Sequence, residues 1–303
     1  MNRSDRDARH PLGTMAPVPD SMGTAPHAGS EANDGAKEVE AASHRLITRI
    51  GFGLVGWAAF AAALGLWQAW ASAAHVQSVV ATFSSAVRAF GTIVTGSALR
   101  ADVLPSIYEV LLGFVVASLI GIALGLVIGT FRSLDPWVRP VIEFMRAVPP
   151  PLIIPIAMLI VGLSGNLVVT VIVFGAVWPV LLNTTDGARR VEPVFLDTAK
   201  VFHLQPWTVI ATIVLPASSP MIMAGLRVAL STSLIMMILA EMLASSNGIG
   251  YLILTSQQTF TIPFTYGGVL ILAVLGWLLD SAFLIAERRL LRWNSEYSGG
   301  AGV

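Results

Sequence analysis

Apolar residues in this chain fall into long uncharged blocks separated by short polar or basic stretches, and the block lengths decide the architecture. A membrane-crossing helix needs about 20 mostly apolar residues. Six intervals serve as candidates: residues 46–70, 106–130, 147–162, 167–185, 219–240 and 266–286. The pattern predicts an all-α membrane protein with six transmembrane helices. Within residues 71–105, Val76, Val79, Val80, Phe83, Val87 and Phe90 share one face at helical spacing, with Arg88 and Arg100 among the polar positions. Two readings are open there, an interfacial helix on the outer surface or a connecting loop with a partly buried helix.

Details inside the blocks refine this picture. Gly113, Gly121, Gly125 and Gly129 strip one face of the second block, which lets another backbone approach closely and predicts a tightly packed central helix. The third block opens with Pro149, Pro150 and Pro151 and carries Pro155, so its first turns cannot form a regular hydrogen-bond ladder. Broken backbone in lipid needs cover from protein or from a water-filled cavity. That places residues 148–155 inside the bundle, at a gate or a bend; the other reading is a plain proline-rich helix start. Residues 241–263 contain no Lys or Arg but do contain Gly248-Ile-Gly250-Tyr251 and Thr255-Ser-Gln-Gln258, the make-up of an outer, water-facing segment.

Between the fourth and fifth blocks, residues 189–216 are too polar to cross a membrane. There Val194, Leu196, Val201 and Leu204 stand among charged positions with the mixed spacing of a short helix lying on a surface. Such a helix can be gripped from outside. Lys and Arg cluster in the N-terminal tail, in residues 131–146, in this loop and after the sixth block, whereas the other side has only Arg88 and Arg100. The bias makes both termini cytoplasmic.

Composition supports the membrane reading. Only 12% of the 303 residues are charged, against about 25% in soluble domains, and the mean hydropathy is +0.74. The net charge is zero, so nucleic acid has no electrostatic claim as a partner. Without cysteine there is no disulfide, thiol nucleophile or zinc-thiolate site. Residues 1–44 have the composition of a disordered tail. They lack the apolar run of a signal peptide, so the first block stays as an anchor.

Catalytic chemistry finds no candidates. No phosphate-binding loop of the form Gly-x4-Gly-Lys-Ser/Thr occurs, and His10, His27, His44, His75 and His203 have no metal-ligand spacing. Charges inside spans point to pairing or function, and Arg227 and Asp280 are the clear cases. Each lies about eight residues from the cytoplasmic end of its span, roughly 12 Å deep. Equal depth predicts an ion pair joining the last two spans, the alternative being that Arg227 meets an anionic solute. His203 has two readings as well, a pH sensor or a residue at a solvated helix end.

The run Asp197-Thr198-Ala199, three residues, His203, nine residues and Ile213-x-Leu215-Pro216 resembles the coupling loop of bacterial ABC importer permeases. That pattern reads Glu-Ala-Ala, three residues, Gly, nine residues, Ile-x-Leu-Pro; here Asp197, Thr198 and His203 depart from it. Further runs resemble the nitrate, sulfonate, taurine and bicarbonate permeases: Tyr108-Glu-Val-Leu-Leu-Gly-Phe114, Arg146-Ala-Val-Pro-Pro150, Ala240-Glu-Met242 with Gly248-Ile-Gly-Tyr-Leu252, and Leu279-Asp280 with Glu287-Arg-Arg-Leu-Leu-Arg-Trp293.

The resemblance implies a type I ABC importer permease fold in a bacterial inner membrane. The partners it implies are a second copy of the chain, a separate ABC ATPase carrying ATP and Mg, an extracytoplasmic solute-binding protein and the lipid. It implies no cofactor and no catalysis on this chain. Asp197, Thr198, Ala199, Lys200 and His203 then belong to the helix that enters the ATPase, and Leu215-Pro216 set its exit angle. The expected layout is a tail over 1–44, a first span and outer segment over 45–104, a core of five spans over 105–293 with its coupling loop at 189–216, and a second tail over 294–303. A secondary transporter or channel is the competing class, and it would need relay carboxylates in mid-membrane.

Overall fold

In a computed structural model the described residues are 55–73, 80–163 and 165–292. Both expected tails, and the start of the first block, lie outside them. By internal contacts the chain divides into residues 1–63 and 64–303. In the first unit residues 55–63 are helical, with Trp57 and Phe60 edge to face.

The second unit opens with helical residues 64–73 (α1) and continues through α2 (Phe83–Thr95), α3 (Leu104–Thr130), α4 (Asp135–Ala147), α5 (Ile153–Val161), α6 (Gly165–Arg189), α7 (Pro193–Val201), α8 (Pro206–Val209), α9 (Leu215–Ala244), α10 (Ile249–Gln258) and α11 (Ile262–Leu290). Among the described residues four helical runs have the length and hydropathy to cross a membrane: Leu99–Thr130, Gly165–Arg189, Pro206–Ala244 and Ile262–Leu290. A bent pair, Arg132–Ala147 with Pro150–Val161, makes a fifth.

The glycine face of α3 lies against α6. A Cβ on Gly113, Gly121, Gly125 or Gly129 would stand 2.4 to 2.7 Å from Ile172, Val180, Thr184 or Ala188 respectively. Each of these pairs is separated by the same 59 positions, so α3 and α6 run parallel in one register. α9 crosses the other side of α6 in the opposite direction, with Gly225 against Pro179 and Asn183. Enclosed on both sides, α6 buries Leu167, Val168, Val171, Ile172, Ala176 and Val180. The C-terminal ends of α3, α6 and α11 and the N-terminal end of α9 therefore meet at one pole, the arginine-rich end.

Two departures from the expected spans have physical causes. The third block is not a plain span: Pro150–Leu152 form a 3-10 turn, and the segments on either side of the break meet at 81°. Pro149, Pro151 and Pro155 are exposed within this chain and Pro150 is half-buried, so the break lies at the flank of the single chain and not inside it. The fifth span begins at Pro206 instead of near Ser219. A π-turn at Ile210–Val214, closed by Leu215 N–H on Ile210 O, precedes Pro216 and carries the helix past a residue that cannot donate.

Of the two readings open for residues 71–105, the structure matches the partly buried helix, α2. Thr82 caps it through Ser85 N–H, and Ala86, Ala89 and Ile93 are buried. Gly267 of α11 packs on Ala89 and Phe90. The small residues, and not the larger Val87, which is 44% exposed, mark the inner face.

Candidate functional site

Two constructions stand at opposite poles of the bundle. At the arginine-rich end, Arg189 closes α6 with an ion pair to Asp135 of α4, and each side chain is 29% exposed. A cleft of about 230 Å³ opens beside this pair, lined also by Arg139, Glu143, Arg146 and Asp186. The chain then turns at Val191 and Glu192 into α7, which starts on Pro193, a first helical position where the missing donor costs nothing.

α7 has two unlike faces. Ala199 is 3% exposed, and Leu196 packs against Leu126, Ala188, Val191, Ile210 and Val214. Outward stand Val194, Phe195, Val201 and the C-cap Phe202, each more than half exposed. Asp197, Thr198, Lys200 and His203 are exposed too, and Lys200 pairs locally with Asp197 at 2.8 Å. Of the residues singled out in the loop, Ala199 thus faces the chain's own body, where a small side chain lets the helix sit down. Leu215 and Pro216 are exposed inside the continuous helix and do not end the loop.

His203 explains one departure from the permease pattern. Its φ is +50°, its N–H donates to Lys200 O at 3.0 Å, and Leu204 N–H donates to Ala199 O at 3.0 Å. Those two bonds are the Schellman closure of a helix, and its left-handed position favours glycine. His203→Gly is expected to stabilise the loop by about 1 kcal/mol, while His203→Val weakens it. Protease resistance of the loop, compared across the two variants, reads this out.

At the other pole a set of carboxylates is buried. Glu241, at the end of α9, is 0% exposed and Glu109 of α3 is 7% exposed. Glu241 accepts from Ser106 Oγ at 2.5 Å and from Gly250 N–H at 2.7 Å. Ser106 Oγ in turn accepts from Ile249 N–H at 2.9 Å, and Asp102 accepts from Gly248 N–H at 3.2 Å. Three successive free N–H groups at the start of α10 are thereby satisfied by side chains of Asp102, in the turn just ahead of α3, Ser106 of α3 and Glu241 of α9.

Gly248 has φ +111°, and a Cβ there would stand 2.4 Å from the Glu241 carboxyl carbon. Glu109 makes no hydrogen bond to another described residue. Glu241 was read above as the first residue of a water-facing segment; the structure corrects this, because α9 extends to Ala244 and packs α10 over it. A usable signal existed in the chain: Asp102, Ser106 and Glu109 stand at i, i+4 and i+7, one face of a helix.

The expected Arg227–Asp280 pair is also corrected. Arg227 pairs with Glu287 at 2.5 Å, and Asp280 is exposed. Asp280 and Glu287 lie a heptad apart, so both occupy nearly the same face of α11, and span composition discloses that face without the level. A long arginine stem reaches toward the wetter end of the membrane, where Glu287 waits, 6% exposed.

Residues 110–293 match the family described as binding-protein-dependent transport system inner membrane component. The chain is 29% identical over 237 residues to SsuC of Bacillus subtilis, a protein named for aliphatic sulfonate transport, covering 78% of this chain and 86% of that one. It is 32% identical over 188 residues to the bicarbonate transport system permease protein CmpB of Synechococcus elongatus, covering 62% and 68%. To the nitrate import permease protein NrtB of Synechocystis it is 30% identical over 193 residues, covering 64% and 70%. Among solved structures, the MetNI methionine ABC transporter in an inward-facing conformation aligns with a TM-score of 0.53 at 15% identity, covering 63% of this chain and 95% of that one. This last likeness is one of fold.

Proposed function

This chain belongs to the family of binding-protein-dependent transport system inner membrane components, the permeases of ABC importers, and on that premise we propose that it forms the path of a small oxoanion and docks a separate ATPase through α7. The observation that carries this reading is the outer face of α7. Phe195 and Val201 are 54% and 76% exposed and Phe202, at the C-cap, 71%, on a helix whose inner face is anchored. An exposed apolar patch rimmed by charge marks a protein interface.

The arginine-rich end is then the cytoplasmic one, both termini with it, and ATP and Mg belong to the partner ATPase. The solute class follows the relatives named for sulfonates, bicarbonate and nitrate, delivered by an extracytoplasmic binding protein. A second copy of the chain is supported by α5 and the turn before it, where Leu159 and Ile160 of α5 are 89% and 78% exposed and Leu152 of the turn 62%, beside broken backbone that lipid alone cannot satisfy.

The test uses exposed positions, because bulky residues at Ala199 would unseat α7 whatever its partner. With the permease, its ATPase and its binding protein reconstituted in vesicles, Phe195→Glu with Phe202→Glu is expected to abolish solute-stimulated ATP hydrolysis and uptake while leaving the melting temperature of the permease unchanged. Full coupling in that variant would remove the docking assignment.

A further inference from the structure

Arg227 stands between two carboxylates and uses one of them. On the facing helices α9 and α11, Leu234 Cδ1 lies 3.6 Å from where a Cβ on Gly276 would stand. The helices are antiparallel, so seven residues further along each, Arg227 comes level with Phe283. The guanidinium indeed lies 5.9 Å from the centre of the Phe283 ring. Glu287 is four residues to one side of that level and Asp280 three to the other, about 6 and 4.5 Å along the axis.

The two acids differ in what they have. Glu287 holds the guanidinium at 2.5 Å and is 6% exposed. Asp280 has no ion pair or hydrogen bond to a described residue and lies within a run long and apolar enough to span a membrane, beside exposed Trp277 and Leu278. A carboxylate in such a run is costly unless something meets it. Arg227 itself is 45% exposed, so its side chain is not locked by packing, and the Phe283 ring offers a cation–π surface between the two positions.

We propose that Asp280 is the second partner of Arg227: the guanidinium leaves Glu287, crosses Phe283 and pairs with Asp280 in the other conformation of the transport cycle. Arg227 belongs to the helix that α7 feeds directly, so a push on α7 toward the membrane shifts α9 along α11, away from Glu287 and toward Asp280. A side chain that trades partners this way keeps one ion pair in each state and penalises the levels between, which makes the two states discrete. The inference rests on the docking reading of α7, since that supplies the push.

The experiment measures thermal melting of the reconstituted transporter, with its ATPase, both nucleotide-free and trapped with nucleotide. Glu287→Gln is expected to lower the melting temperature of the nucleotide-free complex by a few degrees and to leave the trapped one near wild type. Asp280→Asn is expected to do the reverse and to slow uptake, with Asp280→Glu restoring both. A trapped complex indifferent to Asp280→Asn would overturn the proposal, as would both substitutions acting on the same state, the result expected if Asp280 meets a second copy instead. Failure of the docking reading looks different: trapping would then leave wild-type melting unchanged, and Phe195→Glu with Phe202→Glu would stay coupled.

Discussion

Gly129→Leu is expected to leave almost no correctly folded chain after detergent extraction. A Cβ at that position would stand 2.4 Å from Ala188 Cβ, 2.9 Å from Thr185 O and 3.3 Å from Thr185 Cα. None of these atoms is the end of a flexible side chain, so relief requires α3 and α6 to separate. That separation would pull apart the whole register from Gly113 to Gly129, because the pairs share one offset and one helix axis. Overpacking a tight core commonly costs about 1–3 kcal/mol, and a leucine forced between two backbones belongs at or above the upper limit. Within membranes, close backbone approach is itself a main source of helix association, so the loss is not recovered elsewhere. Gly91→Ala in α2 serves as the control, since nothing lies within 4 Å of a Cβ there. Size-exclusion profiles of tagged protein should show aggregate for the first and a monodisperse peak for the second.

Glu241→Ala is expected to destabilise the pole opposite α7 to a similar degree. It would leave Gly250 N–H without its 2.7 Å acceptor in a site that is fully buried, while the Ser106 hydroxyl would lose its 2.5 Å partner and fall back on Asp102 O at 3.0 Å. Each buried donor left unmet costs about 1–3 kcal/mol. Glu241→Gln should cost less, since the amide oxygen still accepts one of the two bonds. Gly248→Ala should match the alanine variant by a different route: its Cβ would enter the Glu241 carboxyl, and φ +111° is a conformation that glycine tolerates and alanine does not. The double substitution separates the two costs. With Glu241 shortened the clash disappears while the backbone strain remains, so the combined loss in melting temperature should fall below the sum of the single losses. Strict additivity would mean that Gly248 and Glu241 do not meet.

These two sites also show how far the residues could be read before folding. Gly113, Gly121, Gly125 and Gly129 announce a close approach because glycine at four-residue spacing can only be a groove, and the neighbour proved to be α6 along its length. Pro149, Pro150 and Pro151 announce a break because three residues in a row cannot donate. The 81° turn and its position on the flank of the chain depend on what packs around it. Glu241 was missed because hydropathy places an acid at the edge of a block in water, and only the lid formed by α10 takes it out. The sequence places Ala199 in the loop helix without saying which way it faces, because a short amphipathic helix does not disclose which of its faces is held.

The order of the spans, the polar loop between the fourth and fifth of them, and the groove on α3 were all set by local chemistry: which side chains tolerate lipid, and which residues cannot donate or clash. Partner choice came from the tertiary structure alone. Whether Arg227 meets Glu287 or Asp280, which N–H groups a buried carboxylate receives, and which side of α7 is free all depend on the relative level and rotation of whole helices. Those are fixed by packing at distant contacts, and a difference of one turn, about 5 Å, is enough to exchange one partner for another.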